Sequence, residues 1–290
     1  MSSAYAAAGE PLMRIVHPSD FSRLSQIAFA HALKIALLSH AELEIVHVEG
    51  HKLGNDGDVH WSDFPGVRAT LARWQVVPPS ATREEVENTG LRARKILNSE
   101  QDPLESMVRY CAEHPPDLLV LATHQREGLS RWLHRAVAEP LARRSRAMTL
   151  FVPSHGKAFV APADGAVKLE KILIPVDHQP DGQAAVEEAF FLAEGLGCRE
   201  VEFKLLHVGT DNGMPTLFLP HNPSYRWKQR VVNGDAVEAI EREAALWEPD
   251  LMVFTTAGHR DFLDALRGST TERVLRAANC PVLAVPMKAS

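Results

Sequence analysis

The sequence predicts an α/β protein made of two copies of one domain, each with a parallel sheet covered by helices. Three observations lead to this prediction. The chain has 290 residues, about twice the usual length of a single domain. A set of short motifs occurs twice in the same order, and these motifs are apolar runs separated by helical patterns.

Four motifs of the first half recur in the second half. The pairs are 15–20 (IVHPSD) with 172–177 (ILIPVD), 45–48 (IVHV) with 205–208 (LLHV), 116–120 (PDLLV) with 249–253 (PDLMV), and 149–153 (TLFVP) with 282–286 (VLAVP). The last two pairs are offset by 133 residues and the second pair by 160, so the first half carries 27 extra residues between its second and third motifs. The chain is therefore predicted to be a tandem duplication.

Each repeated motif is a short apolar run without alternation, which is typical of strands buried on both faces. Helical spacing of apolar residues fills the stretches between them. In residues 22–39 the spacing is carried by Leu24, Ile27, Ala28, Ala32, Ile35 and Leu38, and in residues 237–246 by Val237, Ile240, Ala244 and Ala245. Strands that alternate with helices predict right-handed crossovers and a parallel sheet.

The repeat also predicts the domain boundaries. The first domain spans residues 1–153 and the second residues 169–290. Residues 154–168 read as a linker, because they contain Gly156, Pro162 and Gly165 and no periodic pattern. The insertion of the first domain, about residues 49–100, is predicted to be a surface loop, with a helix over residues 83–97 where charges alternate.

The insertion also suggests a metal site as an alternative. His47, His51 and His60 could supply imidazole ligands, which suit zinc or nickel. The nearby carboxylates are Asp56, Asp58 and Asp63. The spacing is irregular and matches no ligand motif, so a surface loop is the preferred interpretation. His47 and His207 occupy matching strand ends, which favours a shared structural role over catalysis.

Composition and charge exclude several classes of protein. With 31 basic and 37 acidic residues the net charge is −6, whereas nucleic-acid binding needs a basic face. Cys111, Cys198 and Cys280 are far apart in sequence and form no CxxC pair, so reduced thiols in the cytoplasm are expected. The first residues do not resemble a signal peptide, and apolar runs such as 118–122 are too short to span a membrane.

Two candidate binding positions follow strands of the second repeat, at the edge where open parallel sheets bind ligands. Asp177 comes directly after the first strand and could accept a hydrogen bond from an adenine amino group, or cap the next helix. Gly234, in the run VVNGD just before a helix, permits close approach of a ligand or simply makes a turn.

A third candidate position follows the strand at residues 251–254. The run TTAG (255–258) is followed by nine residues and then by GSTTE (268–272). Ser269 and Glu272 form a capping box, so a helix is predicted to begin there and to run to about Ala278. A helix N-terminus preceded by glycine is a natural phosphate site, and the Ser269 and Thr270 hydroxyls could add contacts. Helix capping alone explains the same residues.

Together these residues resemble the universal stress protein family. The resemblance is carried by the Pro-x-Asp at 175–177, the Leu-His-Val at 206–208, and the glycine–nine–glycine–serine run before Cys-Pro-Val-Leu at 280–283. It covers about residues 13–153 and 169–286. The resemblance implies a five-stranded parallel sheet in each domain with order 3-2-1-4-5. It also implies that the last strands of the two domains pair, making an intramolecular pseudo-dimer, with a homodimer of whole chains as a further assembly.

The resemblance also implies an ATP site in the second domain, with Mg²⁺ as an accompanying ion. The implied contacts are Val176, Asp177, Gly234, Thr256, Gly258, Gly268, Ser269 and Thr270. The first glycine of the family pattern is Thr255 here, so a side chain is expected where backbone would approach phosphate or ribose. No general base stands beside the proposed phosphates, so at most slow hydrolysis is expected and no catalytic residue is assigned.

The first domain is predicted not to bind ATP in the family's manner. It retains Asp20, but the positions matching the glycines and serine of the second domain have changed. They are Gln101, Gln125, Arg135 and Ala136, and Ala122 replaces the first glycine of the pattern. Arg126, Arg131 and Arg135 could attract an anion, although a solvated basic helix face explains them equally simply.

Two functions follow from the sequence. The first is a stress-response or regulatory protein that binds an adenine nucleotide in its second domain. The second is an interaction module in which both sites have been lost and the duplicated sheet serves assembly. Enzymes with a P-loop, a GxSxG elbow or an HExxH zinc motif are excluded, because the chain has none of these patterns.

Overall fold

The computed structural model describes residues 13–22, 25–49, 62–100, 102–123, 135–210, 213–256 and 270–287. The chain forms two compact units. Unit 1 comprises Met1–Ala147 and Val160–Ala166, and unit 2 comprises Met148–Phe159 and Val167–Ser290.

Unit 1 contains a parallel sheet with helices in its connections. Its elements are β1 (Arg14–Pro18), α1 (Ser25–Leu38), β2 (Glu42–Glu49), α2 (Val67–Arg73), α3 (Arg83–Glu87), β3 (Arg92–Ser99), α4 (Pro103–Glu113), β4 (Leu118–Thr123) and α5 (Arg135–Ser145). The strands pair in parallel in the order β3-β2-β1-β4. The crossovers α1 and α4 place helices against this sheet, as the alternation of patterns predicted.

Unit 2 repeats this arrangement and includes two more strands. Its elements are β5 (Met148–Pro153), β6 (Lys171–Pro175), α6 (Gln183–Gly195), β7 (Glu202–Val208), β8 (Arg226–Val232), α7 (Ala236–Trp247), β9 (Leu251–Thr256), α8 (Thr270–Ala277) and β10 (Val282–Pro286). Its strand order is β5-β10-β9-β6-β7-β8. Every pair in it is parallel except β5 with β10, which is antiparallel.

The predicted fold class is confirmed. The strand orders of the two repeats are β3-β2-β1-β4-β5 and β8-β7-β6-β9-β10, which is 3-2-1-4-5 in each case. The last strands of the repeats also pair as expected, with Leu283 opposite Leu150. This pair lies inside unit 2, because β5 groups with the second half of the chain.

Burial along the strands explains why the apolar runs of the sequence lack alternation. Every residue of β9 is buried, and so is all of β4 except Thr123, which is partly exposed. The edge strands β3 and β8 are instead mostly exposed or half-buried and rich in Arg and Lys. Charged side chains on edge strands disfavour pairing with other chains. None of the described helices is long and apolar enough to cross a membrane.

The insertion of the first repeat differs from the predicted surface loop. It contains α2, α3 and β3, and the side chains of Phe64, Leu71 and Trp74 are buried. The helix predicted over residues 83–97 was also wrong, because α3 ends at Glu87 and β3 begins at Arg92. β3 pairs along its length with β2. Its charged residues, Arg92, Arg94 and Lys95, therefore belong to an edge strand and not to a helix.

The predicted linker contains no helix and no extended strand, and both of its halves are attached. Within unit 1, the Val160 N–H donates to His31 Nε2 (3.3 Å), and Trp74 Nε1 donates to the Pro162 carbonyl (3.2 Å). Within unit 2, the Lys157 N–H donates to the Asn279 carbonyl (2.6 Å). The linker is therefore packed against the fold and is not a free tether.

Candidate functional site

The centre of the candidate site is the carboxyl end of β6. This strand lies between β7 and β9, so the chain leaves it on one side and later returns on the other. Ligands of open α/β sheets bind at such a switch point. Asp177 follows β6 directly, and its side chain is 63% exposed. The carboxylate accepts a hydrogen bond from the His178 N–H (2.8 Å), and its Oδ1 atom lies 4.0 Å from His207 Nδ1.

Val176 and His207 form the buried support under Asp177. The Val176 N–H donates to the Leu206 carbonyl (2.9 Å), and His207 Nδ1 donates to the Val176 carbonyl (3.1 Å). A Cβ added to Gly209 or Gly213 would lie 2.6 or 2.9 Å from His207 Nε2, so the backbone after β7 packs closely on this imidazole. The predicted structural role of His207 is confirmed by these contacts.

Gly234 provides an open backbone position at the same edge of the sheet. Its φ is +124°, which favours glycine, and a Cβ added there would have no atom within 4 Å. The next residue, Asp235, caps α7 by accepting hydrogen bonds from the N–H groups of Val237 (3.0 Å) and Glu238 (3.1 Å). Arg273 of α8 places Nη1 4.0 Å from the Asp235 carboxylate. The N-terminal ends of α7 and α8 therefore lie side by side, with their positive dipole ends at this edge.

Thr255 and Thr256 end β9, and both hydroxyl groups bond to the fold. Thr255 Oγ1 accepts from the Ala185 N–H (3.2 Å) in the first turn of α6, whose N-cap residue is Gly182. Thr256 Oγ1 donates to the Val285 carbonyl (3.3 Å). The Thr255 side chain, expected where backbone would approach phosphate or ribose, is buried and supplies α6 with the acceptor that its N-cap glycine lacks.

The remaining predicted contacts are only partly described. Gly258, Gly268 and Ser269 lie outside the described residues. Thr270 is the first residue of α8, and only its backbone is described. The helix predicted to begin at the capping box is confirmed, since α8 spans Thr270–Ala277. Four predicted residues thus come to one edge of the sheet, namely Val176, Asp177, Gly234 and Thr256.

The matching edge of unit 1 is covered by aromatic side chains. His47 Nδ1 donates to the Ser19 carbonyl (2.7 Å), just as His207 does to Val176. The Phe21 ring stacks on His47 with centroids 4.0 Å apart, and Phe64 meets Phe21 edge-on at 4.9 Å. No repeated motif of the sequence indicated a role for these two phenylalanines. The available signal was the alignment of Phe21 with His178 at an offset of 157 residues.

A fully buried histidine lies in β1 of the same unit. His17 Nδ1 donates to the Val120 carbonyl (3.0 Å), and burial lowers the pKa of His17 to about 4. Its Nε2 atom has no hydrogen-bond partner. The matching residue of unit 2 is the buried Ile174, so a neutral imidazole replaces an aliphatic side chain in this core.

Most of the other positions considered for unit 1 lie outside the described residues. His51 and His60 of the metal hypothesis lie outside the described residues, as do Gln101, Gln125, Arg126 and Arg131. Arg135 and Ala136 begin α5, and only their backbone is described. Ala122 is fully buried in β4. Within the described part of the chain, no group of three or more His, Cys, Asp or Glu residues is arranged to hold a metal ion.

Comparison with known proteins adds a family to this geometry. The model of the universal stress protein family matches residues 11–153 and 219–286. These two segments lie in different repeats and together make up more than half of the chain. No curated protein matches the sequence.

Solved structures resemble the whole chain at low sequence identity. A universal stress protein from Archaeoglobus fulgidus DSM 4304 is 16% identical with a TM-score of 0.59, over 94% of this chain and 96% of that one. A functionally unknown protein from Pseudomonas aeruginosa PAO1 is 14% identical with a TM-score of 0.58, over 95% of this chain and 92% of that one. Likeness at this identity concerns the fold.

A shorter solved chain also matches part of the sequence. It is a universal stress protein family protein from Arabidopsis thaliana with AMP bound, 16% identical with a TM-score of 0.30, over 41% of this chain and 93% of that one. The nucleotide belongs to that protein.

Proposed function

The chain belongs to the universal stress protein family, and on this premise we propose that its second repeat binds an adenine nucleotide, ATP with Mg²⁺, in a regulatory role in the cytoplasm. The ligand would lie across the carboxyl ends of β6 and β9. Val176 and Asp177 would face the base, and Gly234 with the start of α8 would face the phosphates. At most slow hydrolysis is expected.

The observation that carries the proposal is the meeting of two helix N-termini beside Gly234. Asp235 caps α7, and Arg273 of α8 reaches within 4.0 Å of its carboxylate. Positive dipole ends at such a place favour phosphate, while the Val237 and Glu238 N–H groups of α7 are already bonded to Asp235. The backbone at Gly234 is open, so a phosphate could approach without meeting a side chain of this residue.

The base side of the site is supported by Asp177. Its carboxylate is exposed and is anchored by its own neighbour, so an acceptor is available for an exocyclic amino group. The Thr255 hydroxyl no longer counts against binding, because it is bonded to α6.

The test compares the whole chain with its Gly268→Arg variant by titration calorimetry with ATP and Mg²⁺. The substitution copies Arg135 of the first repeat and introduces a long charged side chain two residues before α8 begins. We expect the wild-type chain to bind ATP. The variant should bind ATP at least about tenfold more weakly, which corresponds to a loss of about 1.4 kcal/mol in binding free energy.

His221→Arg is the matched control. It adds the same charge at an exposed position near the amino end of β8, remote from the proposed site, and should leave ATP affinity unchanged. If titration of folded wild-type protein with millimolar ATP gave no heat of binding, the proposed nucleotide site would be refuted and the assembly module would be favoured. Wild-type affinity in Gly268→Arg would show that the ligand lies elsewhere.

A further inference from the structure

An asparagine precedes the open glycine at the end of β8. Asn233 and Gly234 form one of the two Asn-Gly pairs in the chain, and Asn212 and Gly213 form the other. In such a pair the backbone nitrogen of the glycine can attack the asparagine side chain, because glycine has no Cβ to obstruct the approach. The product is a cyclic succinimide. By sequence, both pairs are capable of the same self-modification.

The Gly234 nitrogen is accessible in the folded chain. Asn233 and Gly234 are both exposed, and a Cβ added to Gly234 would have no atom within 4 Å. Among the described residues, no group accepts a hydrogen bond from the Gly234 N–H, and none bonds to the Asn233 side chain. The attacking nitrogen and the amide group that it attacks can therefore approach each other without breaking a contact.

The fold anchors the residues on either side of this pair. On one side, the Val232 carbonyl at the end of β8 accepts a hydrogen bond from the Gly209 N–H (2.8 Å). On the other side, Asp235 caps α7 with its side chain. The pair lies between these two anchors, so the succinimide ring can form without opening the sheet or the helix.

The glycine of the other pair is held by two contacts. The Gly213 N–H donates to the Thr210 carbonyl (2.8 Å), and a Cβ added to Gly213 would lie 2.9 Å from His207 Nε2. Asn212 itself lies outside the described residues. The hydrogen bond of Gly213 must open before its nitrogen can attack. The two pairs are equal in sequence, and the backbone contacts of their glycines distinguish them.

We propose that Asn233 deamidates spontaneously in the folded protein, and that Asn212 does so more slowly. The Gly234 nitrogen loses its proton to solvent and bonds to Cγ of Asn233, while the bond from Cγ to Nδ2 breaks and ammonia leaves. Water then opens the succinimide ring. Attack of water at the side-chain carbonyl gives aspartate, and attack at the main-chain carbonyl gives isoaspartate.

Both products place a carboxylate beside Gly234. Isoaspartate also lengthens the backbone directly before the residue that caps α7, because the chain then runs through the side-chain carbon atoms. A new negative charge would repel the phosphates of the proposed nucleotide, so a chain would lose affinity for it with age. Only this consequence rests on the proposed function, since the modification itself depends on the contacts of the two glycines.

The test follows both asparagines by mass spectrometry after incubation of the full chain at mildly alkaline pH. Tryptic cleavage separates them into the peptides 205–226, which contains Asn212, and 231–242, which contains Asn233. In the folded chain Asn233 should react at least about fivefold faster, because its reaction requires no backbone hydrogen bond to open first. In guanidinium chloride the two rates should converge, since denaturation removes the contacts of Gly213.

Asn233→Gln is the matched variant, because glutamine would have to close a larger ring. Its peptide 231–242 should keep its mass over the same incubation. The proposal would be overturned if folded wild-type protein kept Asn233 intact under conditions that convert the denatured chain. Equal rates at the two asparagines in the folded chain would overturn it as well.

Calorimetry of Asn233→Asp with ATP and Mg²⁺ tests the consequence separately. Weaker binding than in the wild-type chain would support the loss of affinity with age, and unchanged binding would refute it. If the wild-type chain binds no ATP, the proposed function fails, while the rates measured by mass spectrometry still decide whether Asn233 is modified.

Discussion

The ends of the first two strands differ between the repeats more than the strands themselves do. In unit 1, Phe21 and Phe64 enclose His47, whereas in unit 2 the exposed His178 stands beside His207. Both buried histidines nevertheless donate to the carbonyl of the residue before the aspartate. The duplicated backbone contacts have therefore persisted, whereas the side chains that would meet a ligand have changed.

The two repeats also differ in the contact between their second strand and the helix packed on it. In unit 1 the Tyr110 hydroxyl donates to Glu44 (2.7 Å). In unit 2 the matching residues are Glu243 and Lys204, which form an ion pair (2.8 Å), and Arg230 also pairs with Glu243 (3.2 Å). In unit 1 this contact joins a neutral hydroxyl group to a carboxylate, whereas in unit 2 it joins two oppositely charged side chains.

The largest expected effect comes from breaking this ion pair. Glu243 is 4% exposed. Glu243→Ala would therefore leave the ammonium group of Lys204, which is itself largely buried, without the carboxylate that pairs with it. Removing one member of a buried pair costs about 3–5 kcal/mol, because the remaining charge is uncompensated. We expect a loss of this size in the free energy of unfolding of unit 2, measured by urea denaturation.

Tyr110→Phe is the matched change in unit 1. It removes one hydrogen bond to a charged group and should cost about 1.5–3 kcal/mol. If Tyr110→Phe lost as much free energy of unfolding as Glu243→Ala or more, the ion pair of unit 2 would not be the stronger of the two matching contacts.

The next effect is acid sensitivity of unit 1. Burial lowers the pKa of both His17 and His31 to about 4, from 6.5 in an unfolded chain. The fold therefore favours the neutral rings, and stability is fully present above pH 6.5 and is lost as pH falls toward 4. Each histidine contributes at most about 3 kcal/mol to this loss.

His17→Ile tests the acid effect, because it installs the residue that unit 2 has at the same position. We expect the urea midpoint of the wild-type chain to fall between neutral pH and about pH 4.5, and the fall to be smaller in the variant. An identical pH dependence in both proteins would rule out His17 as a source of the acid effect.

The smallest effect concerns the start of the helix that follows the first strand. Unit 2 caps α6 with Thr255 from a neighbouring strand, whereas in unit 1 the Ser22 hydroxyl accepts from the Ser25 N–H (3.2 Å). Thr255→Ala should cost about 1 kcal/mol, since it leaves the Ala185 N–H without an acceptor. Thr255→Ser keeps the hydroxyl and should retain most of the stability. Equal melting temperatures for the two variants would argue against the cap.

Sequence patterns predicted the elements that depend on local periodicity. The central strands are continuous apolar runs, and α8 begins at Thr270, directly after the residue that the sequence predicted to cap it. β3 was mistaken for a helix, because five charged or polar positions in an edge strand give no apolar run. Pairing with β2 determines its conformation, and that information lies elsewhere in the chain.

The site was predicted less completely than the fold for a related reason. Asp177 and Gly234 follow strands directly, so their position could be inferred from the chain order. The bond of Thr255 to Ala185 and the contact of Phe64 with Phe21 join residues far apart in sequence. Neither contact belongs to a periodic pattern, so only the tertiary structure reveals them.

The antiparallel pair of β5 and β10 has a consequence for dissecting the protein. A fragment that begins at Leu169 would omit β5 and leave Val282–Pro286 with unpaired N–H and C=O groups along one side. Such an exposed apolar edge invites pairing with another chain. Separating the halves at the sequence repeat would therefore create a self-associating species.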